Sequence, residues 1–356
     1  MKNQETKLRN FIRKEIKSVL HESRLSKKKS LISMIFEDAS PEIQKAFSSG
    51  PGAVRSLANS AKDKEDLKAS LRGSFDKEDS DDVVSIGGGN PQVGGLLPTQ
   101  SEIDLVKSIG WPLGDLGTLE KMIKSGTSTA PGKITTSGNL VIDGHHRWSG
   151  IWSISGEGGT VAVDDLALPG GSTSEKLAAA QLAIAAYKPA DAAQPAAADE
   201  IKLNILGKSP EAIEKDILSA EGQKDPDAPG AILNPKYLEG CANSEVVADW
   251  AGFDVGADVE TVKNAIIKKV ASNLSSLPKN PEAPPRADMP QFDAKSIGGK
   301  EAKKNIMTGL KSGEFNVAPP FGPEGEESDE DKKQESRFKT GTVLVERWQR
   351  LAGIIK

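Results

Sequence analysis

The sequence predicts an α+β protein in which a small mixed α/β domain is embedded in mostly helical, partly disordered flanks. Apolar residues recur at helical spacing in many segments of the 356-residue chain, whereas short strand-like apolar runs cluster between residues 95 and 170. Only 37% of the residues are hydrophobic and 4% are aromatic, a share below that of a typical compact domain. The chain is therefore expected to form one or two cores of about 100–150 residues, joined by irregular segments.

Cysteine usage and hydropathy exclude several classes of protein. Cys241 is the only thiol, so the chain can form neither an intrachain disulfide nor a cysteine-based zinc site, and a reducing compartment fits this usage. No uninterrupted apolar stretch reaches about 18 residues, and the N-terminus lacks the apolar core of a secretory signal. We therefore expect neither a membrane partner nor a signal peptide.

The first 30 residues predict a basic amphipathic helix. Leu8, Phe11, Ile12 and Ile16 recur at spacings of three and four, with Lys and Arg on the other face. Residues 1–30 hold ten Lys or Arg against three Glu, whereas the whole chain has a net charge of −5. This basic segment could bind an anionic partner, such as nucleic acid or a protein surface. Alternatively, it is a helix whose basic face is exposed to solvent. Nucleic acid is not favoured, because the rest of the chain is acidic.

The remaining chain divides into five segments by its patterning. Residues 31–94 indicate a helical and linker region, with glycines 87–89 in the linker, and residues 95–170 indicate the mixed domain. A helical region at 171–280, a Pro-rich and acidic linker at 281–340, and an amphipathic helix at 341–356 follow. Helices are expected at 101–109, 116–124, 174–188, 209–220, 244–250 and 259–275, and strands within 133–142 and at 160–163.

The heptad from Ile142 to Trp148, with the sequence IDGHHRW, is the strongest functional pattern in the chain. An apolar strand precedes an Asp-Gly turn, and apolar residues at helical spacing follow it. Such a turn leaves the first N–H groups of the helix unpaired, and together with the helix dipole they form an anion site. His145, His146 and Arg147 would add donors. Asp143 is placed to hold Mg²⁺ beside a nucleotide, to orient a histidine, or to cap the helix.

Two other interpretations of the heptad compete with anion binding. A zinc site is unfavourable, because adjacent histidines diverge in direction and helical metal ligands are better spaced four residues apart. A structural interpretation makes Asp143 the helix cap and lets both histidines fill polar niches. Anion or nucleotide binding is preferred over both.

These residues also resemble the ParB/sulfiredoxin-like fold, whose members carry a strand-turn-helix phosphate loop. The loop is written GERR in partition ParB proteins, GCHR in sulfiredoxins, and DGHHR in a free-serine kinase branch and many phage proteins. Residues 143–147 match the last form at all five positions. Residues 97–103, with the sequence LPTQSEI, resemble the segment that opens the domain and supplies a second wall of its site. The resemblance covers roughly residues 95–170.

The resemblance implies specific roles for residues of this chain. Thr99, Gln100 and the loop residues Gly144, His145, His146 and Arg147 would bind the phosphates of ATP or another NTP. Asp143 would assist Mg²⁺ or a histidine, and Glu102 would act as general base, so that Glu102, Asp143, His145 and His146 form the catalytic set. His145 stands where sulfiredoxins have their catalytic cysteine, which excludes sulfinic acid reduction. No helix-turn-helix follows, which disfavours a centromere-binding role.

The sequence thus predicts a phage-type nucleotide-binding protein that transfers or hydrolyses phosphate with Mg²⁺ at the DGHHR loop. The alternative is a virion-associated structural or assembly protein in which this domain is a binding module. Residues 7–16, with the sequence KLRNFIRKEI, and residues 346–353, with the sequence ERWQRLAG, resemble terminal helices of proteins from tailed phages of the T4-like, marine kind. The resemblance implies that both ends dock on phage structural proteins. The expected location is the host cytoplasm or the virion. A ParB-like nuclease has little support, because one acid and two histidines do not make a two-metal site.

Overall fold

The computed structural model of the protein has an α+β fold, as the sequence predicts, with a five-stranded mixed sheet between two sets of helices. It describes residues 40–60, 68, 71, 83–126, 132–188, 201, 203–221, 233–292 and 297–318. The predicted terminal helices at 1–30 and 341–356 and the acidic part of the 281–340 segment lie outside these residues. The helices are α1 (Ser40–Ser49), α2 (Pro51–Ser60), α3 (Leu105–Ile109), α4 (Leu116–Ser125), α5 (His145–Ser155), α6 (Thr173–Tyr187), α7 (Pro210–Glu221), α8 (Pro235–Ala242), α9 (Glu245–Ala251), α10 (Val259–Ser275) and α11 (Gly299–Ser312).

The sheet has the strand order β1-β5-β3-β4-β2. Its strands are β1 (Ile86–Gly89), β2 (Leu97–Pro98), β3 (Ile134–Ser137), β4 (Leu140–Asp143) and β5 (Val163–Leu166). The β3–β4 and β1–β5 pairs are antiparallel, whereas β2–β4 and β3–β5 are parallel. The strands expected within 133–142 are present as the antiparallel pair β3 and β4, while the strand expected at 160–163 begins only at its last residue.

The glycines at 87–89 form an edge strand, so their assignment to a linker was wrong. Ile86 is in register with Leu166 and Gly89 with Val163. A strand is held by backbone hydrogen bonds to its neighbour, which glycine can make without a side chain to pack. The sheet therefore extends beyond residues 95–170.

One side of the sheet, the α5 face, packs against α3, α4, α5 and α10. Ile134, Val141 and Val163 from the strands enter the same buried cluster as Trp148 and Ile151 from α5. The other side, the α6 face, packs against α1, α2, α6 and α11 through Leu140, Ile142 and Leu166. Residues alternate between the two sides along β4 because successive strand side chains point to opposite faces.

Helix boundaries follow local capping chemistry. Helix α3 begins at Leu105 and not at Ser101, because the Asp104 side chain accepts a hydrogen bond from the Lys107 N–H and caps the helix there. Helix α6 begins with a capping box of Ser172 and Glu175. Helix α10 spans Val259–Ser275, as the sequence predicts.

The linker expected at 281–340 is wrong for the part that the structure describes. Residues 299–312 form α11, whose Ala302, Ile306 and Leu310 recur every four residues and are buried on the α6 face. Residues 281–292, which we call the strap, lie along the sheet domain, and the strap residues Met289 and Phe292 are buried. Apolar burial therefore holds both segments in place. In the described part of the chain, no helix is long and apolar enough to cross a membrane.

Candidate functional site

The predicted strand, turn and helix are present at the heptad. Strand β4 ends at Asp143, and α5 begins at His145. Between them Gly144 has φ 98°, in the left-handed region that favours glycine. A Cβ at Gly144 would lie 2.6 Å from Ile134 Cγ2, so β3 also excludes a side chain here. The turn is therefore specific for glycine by both backbone conformation and space.

Within the described ranges, no side chain caps the N-terminus of α5. Gly144 is the N-cap residue, and its carbonyl accepts hydrogen bonds from the N–H groups of Arg147 and Trp148. Asp143 does not cap the helix, so that interpretation of the residue was wrong. The first N–H groups of a helix have no acceptor within it, and the dipole makes this end positive. The turn thus presents uncapped backbone donors beside His145 and His146.

Asp143 is paired with a lysine from α11. Lys303 Nζ lies 2.9 Å from Asp143 Oδ2, and the two side chains are 19% and 20% exposed. Burial alone would raise the pKa of the Asp143 carboxyl, but Lys303 and Arg147 outweigh that effect and hold the pKa below its ordinary value. Asp143 is therefore ionised, and an ammonium group already neutralises it.

His145 is a neutral, buried side chain that is oriented by Thr99. The Thr99 backbone N–H donates to His145 Nε2 over 3.1 Å, so this nitrogen is an acceptor and carries no proton. The Thr99 hydroxyl donates in turn to the Val141 carbonyl over 2.6 Å. Burial, together with repulsion from His146 when that ring is protonated, lowers the pKa of His145 to about 3. Thr99 thus contacts His145 and does not line the cleft.

His146 lies beside an arginine from the strap. Arg286 Nη1 is 3.5 Å from His146 Nε2. Burial and the neighbouring guanidinium lower the pKa of His146 to about 4, so the imidazole is neutral at pH 7. A neutral ring nitrogen can accept from the guanidinium, which leaves the charge on Arg286 without compensation from this contact.

Arg147 is the third residue of α5, and its guanidinium reaches back to the strand side of the turn. Arg147 Nη1 donates to the Lys133 carbonyl over 2.6 Å. A guanidinium carries five N–H donors in a fixed plane, so one such contact fixes the group and leaves other donors for a ligand.

A cleft of about 200 Å³ lies in front of these groups. Among the residues predicted from the sequence, those that line it are Gln100, Asp143, Gly144, His145, His146 and Arg147. Gln100 is 5% exposed, and its buried amide nitrogen has no hydrogen-bond partner among the described residues. Buried donors are rarely left unpaired, so this amide marks a place for a ligand atom or water.

Glu102 is placed differently from the expected general base. Its carboxylate accepts a hydrogen bond from the Arg286 backbone N–H over 3.4 Å, and it is not among the lining residues. Glu102 thus contacts the backbone of the strap.

The strap and α11 contribute residues that the sequence did not predict. The strap residues that line the cleft are Arg286, Met289, Pro290 and Gln291. Lys303 of α11 contacts Asp143, which also lines the cleft. A single arginine after two prolines is a weak sequence pattern, and only the tertiary fold brings it to the heptad.

The arrangement suits an anion better than a resident metal. Arg147, Arg286 and Lys303 bring three positive charges, Asp143 brings one negative charge, and both histidines are neutral. Within the described ranges, no three His, Cys, Asp or Glu side chains are grouped to hold a metal ion. Cations and uncapped helical N–H groups are the partners that phosphate oxygens favour.

Comparison with known proteins gives no relative for this arrangement. A scan against protein-family models, a search of curated proteins and a search of solved structures each found no match. The fold and site therefore define the class only as an α+β protein with a cation-rich cleft at a strand-to-helix turn.

Proposed function

We propose that this cleft binds the phosphate end of ATP or another nucleoside triphosphate, as in a ParB/sulfiredoxin-like nucleotide-binding protein. The observation that carries the proposal is the uncapped start of α5, flanked by the guanidinium groups of Arg147 and Arg286. The buried amide of Gln100, which has no partner in the part of the chain that the structure describes, adds a neutral donor to the same cleft. Backbone N–H groups, arginine and amide donors together satisfy the several oxygens of a phosphate group.

The proposed binding does not depend on a metal ion. Among the described residues, Asp143 is the only carboxylate that lines the cleft, and its charge is already balanced by Lys303. The described part of the chain therefore does not form a magnesium centre by itself. Mg²⁺ is commonly held by substrate phosphates with one or two carboxylates, and an ion that accompanies the nucleotide would compete with Lys303 for Asp143. The Mg²⁺ dependence of binding separates these two arrangements.

As an enzyme, the protein would transfer or hydrolyse the terminal phosphate of the bound nucleotide. As a binding module, it would hold the nucleotide without turnover. The contacts of the groups that could act as a general base favour the binding module. His145 Nε2 accepts from Thr99, His146 Nε2 lies next to Arg286, and the Glu102 carboxylate is engaged with the strap backbone. None of these three groups is positioned as a free general base in this conformation. A virion or assembly role through the terminal helices belongs to this alternative.

The test is titration calorimetry of the full-length protein with ATP, CTP and GTP, each with and without Mg²⁺. We expect saturable binding by the wild type. Arg147→Gln should weaken it by about 10–100-fold, because a charge-assisted contact contributes about 1.5–3 kcal/mol. Lys268→Gln is the matched control, because Lys268 is exposed on α10 and lies outside the cleft.

Two outcomes of this titration decide the proposal. If the wild type binds no nucleotide under either condition, or if Arg147→Gln binds as tightly as the wild type, the cleft is not a nucleotide site. Phosphate release measured on the same samples then separates an enzyme from a binding module.

A further inference from the structure

The strap holds Arg286 at the cleft through contacts on both sides of this residue. The Ser101 N–H donates to the Pro284 carbonyl over 3.0 Å, and the Arg286 N–H donates to Glu102. Beyond Arg286, the guanidinium of Arg55 on α2 donates to the carbonyls of Ala287 and Met289, over 2.6 and 3.2 Å. The backbone of the strap is thus fixed by hydrogen bonds, and the Arg286 side chain is left to project into the cleft.

The guanidinium of Arg286 has no acidic partner among the described residues. The nearby strap residue Asp288 pairs with Arg55, and Glu102 accepts from the Arg286 backbone and not from its side chain. The Arg286 side chain instead contacts the neutral imidazole of His146. A half-buried cation without a counterion favours an anionic ligand, because that ligand restores the interaction lost with water.

The described side chains that line the cleft, taken together with Lys303 beside Asp143, leave an excess of two positive charges. Lys303 balances Asp143, and both histidines are neutral, so the charges of Arg147 and Arg286 remain. A phosphate monoester or the terminal group of a polyphosphate carries about −1.5 to −2 at pH 7, whereas a phosphodiester carries a single charge. Two positive charges match the charge of the dianionic monoester and exceed the single charge of the diester.

We propose that Arg286 is a specificity-determining residue that makes the cleft select a dianionic terminal phosphate over a phosphodiester. This inference rests on the proposed function and adds the class of phosphate that the site accepts. The volume of about 200 Å³ supports it, because pockets that enclose a whole small-molecule ligand measure about 300–1,000 Å³. The cleft encloses the phosphate end, and the base and sugar of a nucleotide remain largely outside.

The role of Arg286 is tested by comparing 5′-AMP with 3′,5′-cyclic AMP in titration calorimetry of the full-length protein at pH 7.5. The two ligands share their base and sugar, but the first ends in a dianionic monoester and the second is a monoanionic diester. We expect the wild type to bind AMP about 10–100-fold more tightly. Arg286→Gln should remove most of that preference, Arg286→Lys should keep part of it, and Lys268→Gln should leave it unchanged.

The outcomes separate this inference from the function on which it rests. Equal affinities of the wild type for AMP and cyclic AMP, or an unchanged preference in Arg286→Gln, overturn the role of Arg286 even if ATP binds. Failure of the wild type to bind ATP overturns both. The far-UV circular dichroism of each variant verifies folding, and Arg286→Lys retains a test if Arg286→Gln does not fold.

Discussion

Gly144 combines two constraints that can be measured separately. Its φ of 98° disfavours any L side chain, and Ile134 occupies the space that a Cβ would need. We predict that Gly144→Ala lowers the free energy of unfolding by about 2–5 kcal/mol, from backbone strain and overpacking together. Gly126 is the control, because it has φ 60° and a Cβ added there would meet no described atom within 4 Å. Urea denaturation should show that Gly126→Ala lowers the free energy of unfolding by only about 1–2 kcal/mol. Equal losses for both variants would contradict the steric argument.

The two neutral histidines predict a particular dependence of stability on pH. Their folded-state pKa values, about 3 and about 4, lie below the ordinary value of 6.5, so the unfolded chain binds more protons between these limits. The free energy of unfolding that depends on these neutral rings is present in full above pH 6.5. As the pH falls below 6.5, the free energy of unfolding decreases by at most about 1.4 kcal/mol per pH unit for each ring. His145→Gln keeps an acceptor near Thr99 and removes one titration. Denaturation between pH 6.5 and 5 should therefore show a shallower slope for this variant, and an unchanged slope would be evidence against a depressed pKa.

At the level of elements, the ion pair of Lys303 and Asp143 fastens α11 to the end of β4. Both side chains are largely buried, so loss of either leaves the other charge poorly solvated. We predict that Asp143→Asn and Lys303→Met each lower the free energy of unfolding by about 1–3 kcal/mol. A double-mutant cycle measured by urea denaturation should give a coupling energy of at least about 1 kcal/mol between the two residues.

The pair of Lys133 and Asp164 provides the comparison for that cycle. Its atoms are 2.8 Å apart, but the side chains are 53% and 31% exposed, and water screens the interaction. Its coupling should stay below about 1 kcal/mol. A coupling in the Lys303–Asp143 cycle no larger than this one would mean that the pair does not hold α11 in place.

The elements also show what the sequence could and could not predict. Helices such as Val259–Ser275 carry long apolar periodicity and a capping residue, and the sequence predicts them well. Strand β1 was missed because three glycines carry no pattern, and its order comes from pairing with β5. Helix α11 was missed because its apolar stripe is thin and lies among lysines and glycines, so only packing on the α6 face defines it.

The same limit applies to the candidate site. The heptad could be found because its turn and its donors are contiguous in sequence. Arg286 and Lys303 meet His146 and Asp143 across 140 and 160 residues of chain, and no local pattern specifies such contacts. Thr99 was assigned to phosphate binding and Glu102 to general-base catalysis, but tertiary contacts direct them to His145 and to the strap.

At the scale of the whole molecule, the candidate site depends on both faces of one sheet. Strand β4 contributes Val141 to the α5 face and Ile142 to the α6 face, and it ends at Asp143. Helix α5 belongs to the first face, whereas α11 and the buried strap residues belong to the second. Residues 95–170 therefore share their cores with earlier and later segments of the chain, and the cleft is formed by β4, α5 and the strap, with Lys303 of α11 beside Asp143.

A shared sheet predicts that the two faces unfold together. Leu182 on α6 is fully buried on the α6 face, whereas the tryptophans 148, 152 and 250 lie in or against the cluster of the α5 face. We predict that Leu182→Ala lowers the free energy of unfolding by about 2–5 kcal/mol and shifts the tryptophan fluorescence transition as far as the circular dichroism transition. Leu218→Ala on α7 is the control, because Leu218 is 46% exposed and should cost far less. If the fluorescence midpoint stayed in place while the dichroism midpoint moved, the faces would be independent units. The cleft would then lie between two separately folding bodies, and the contact of Lys303 with Asp143 could break without unfolding the turn.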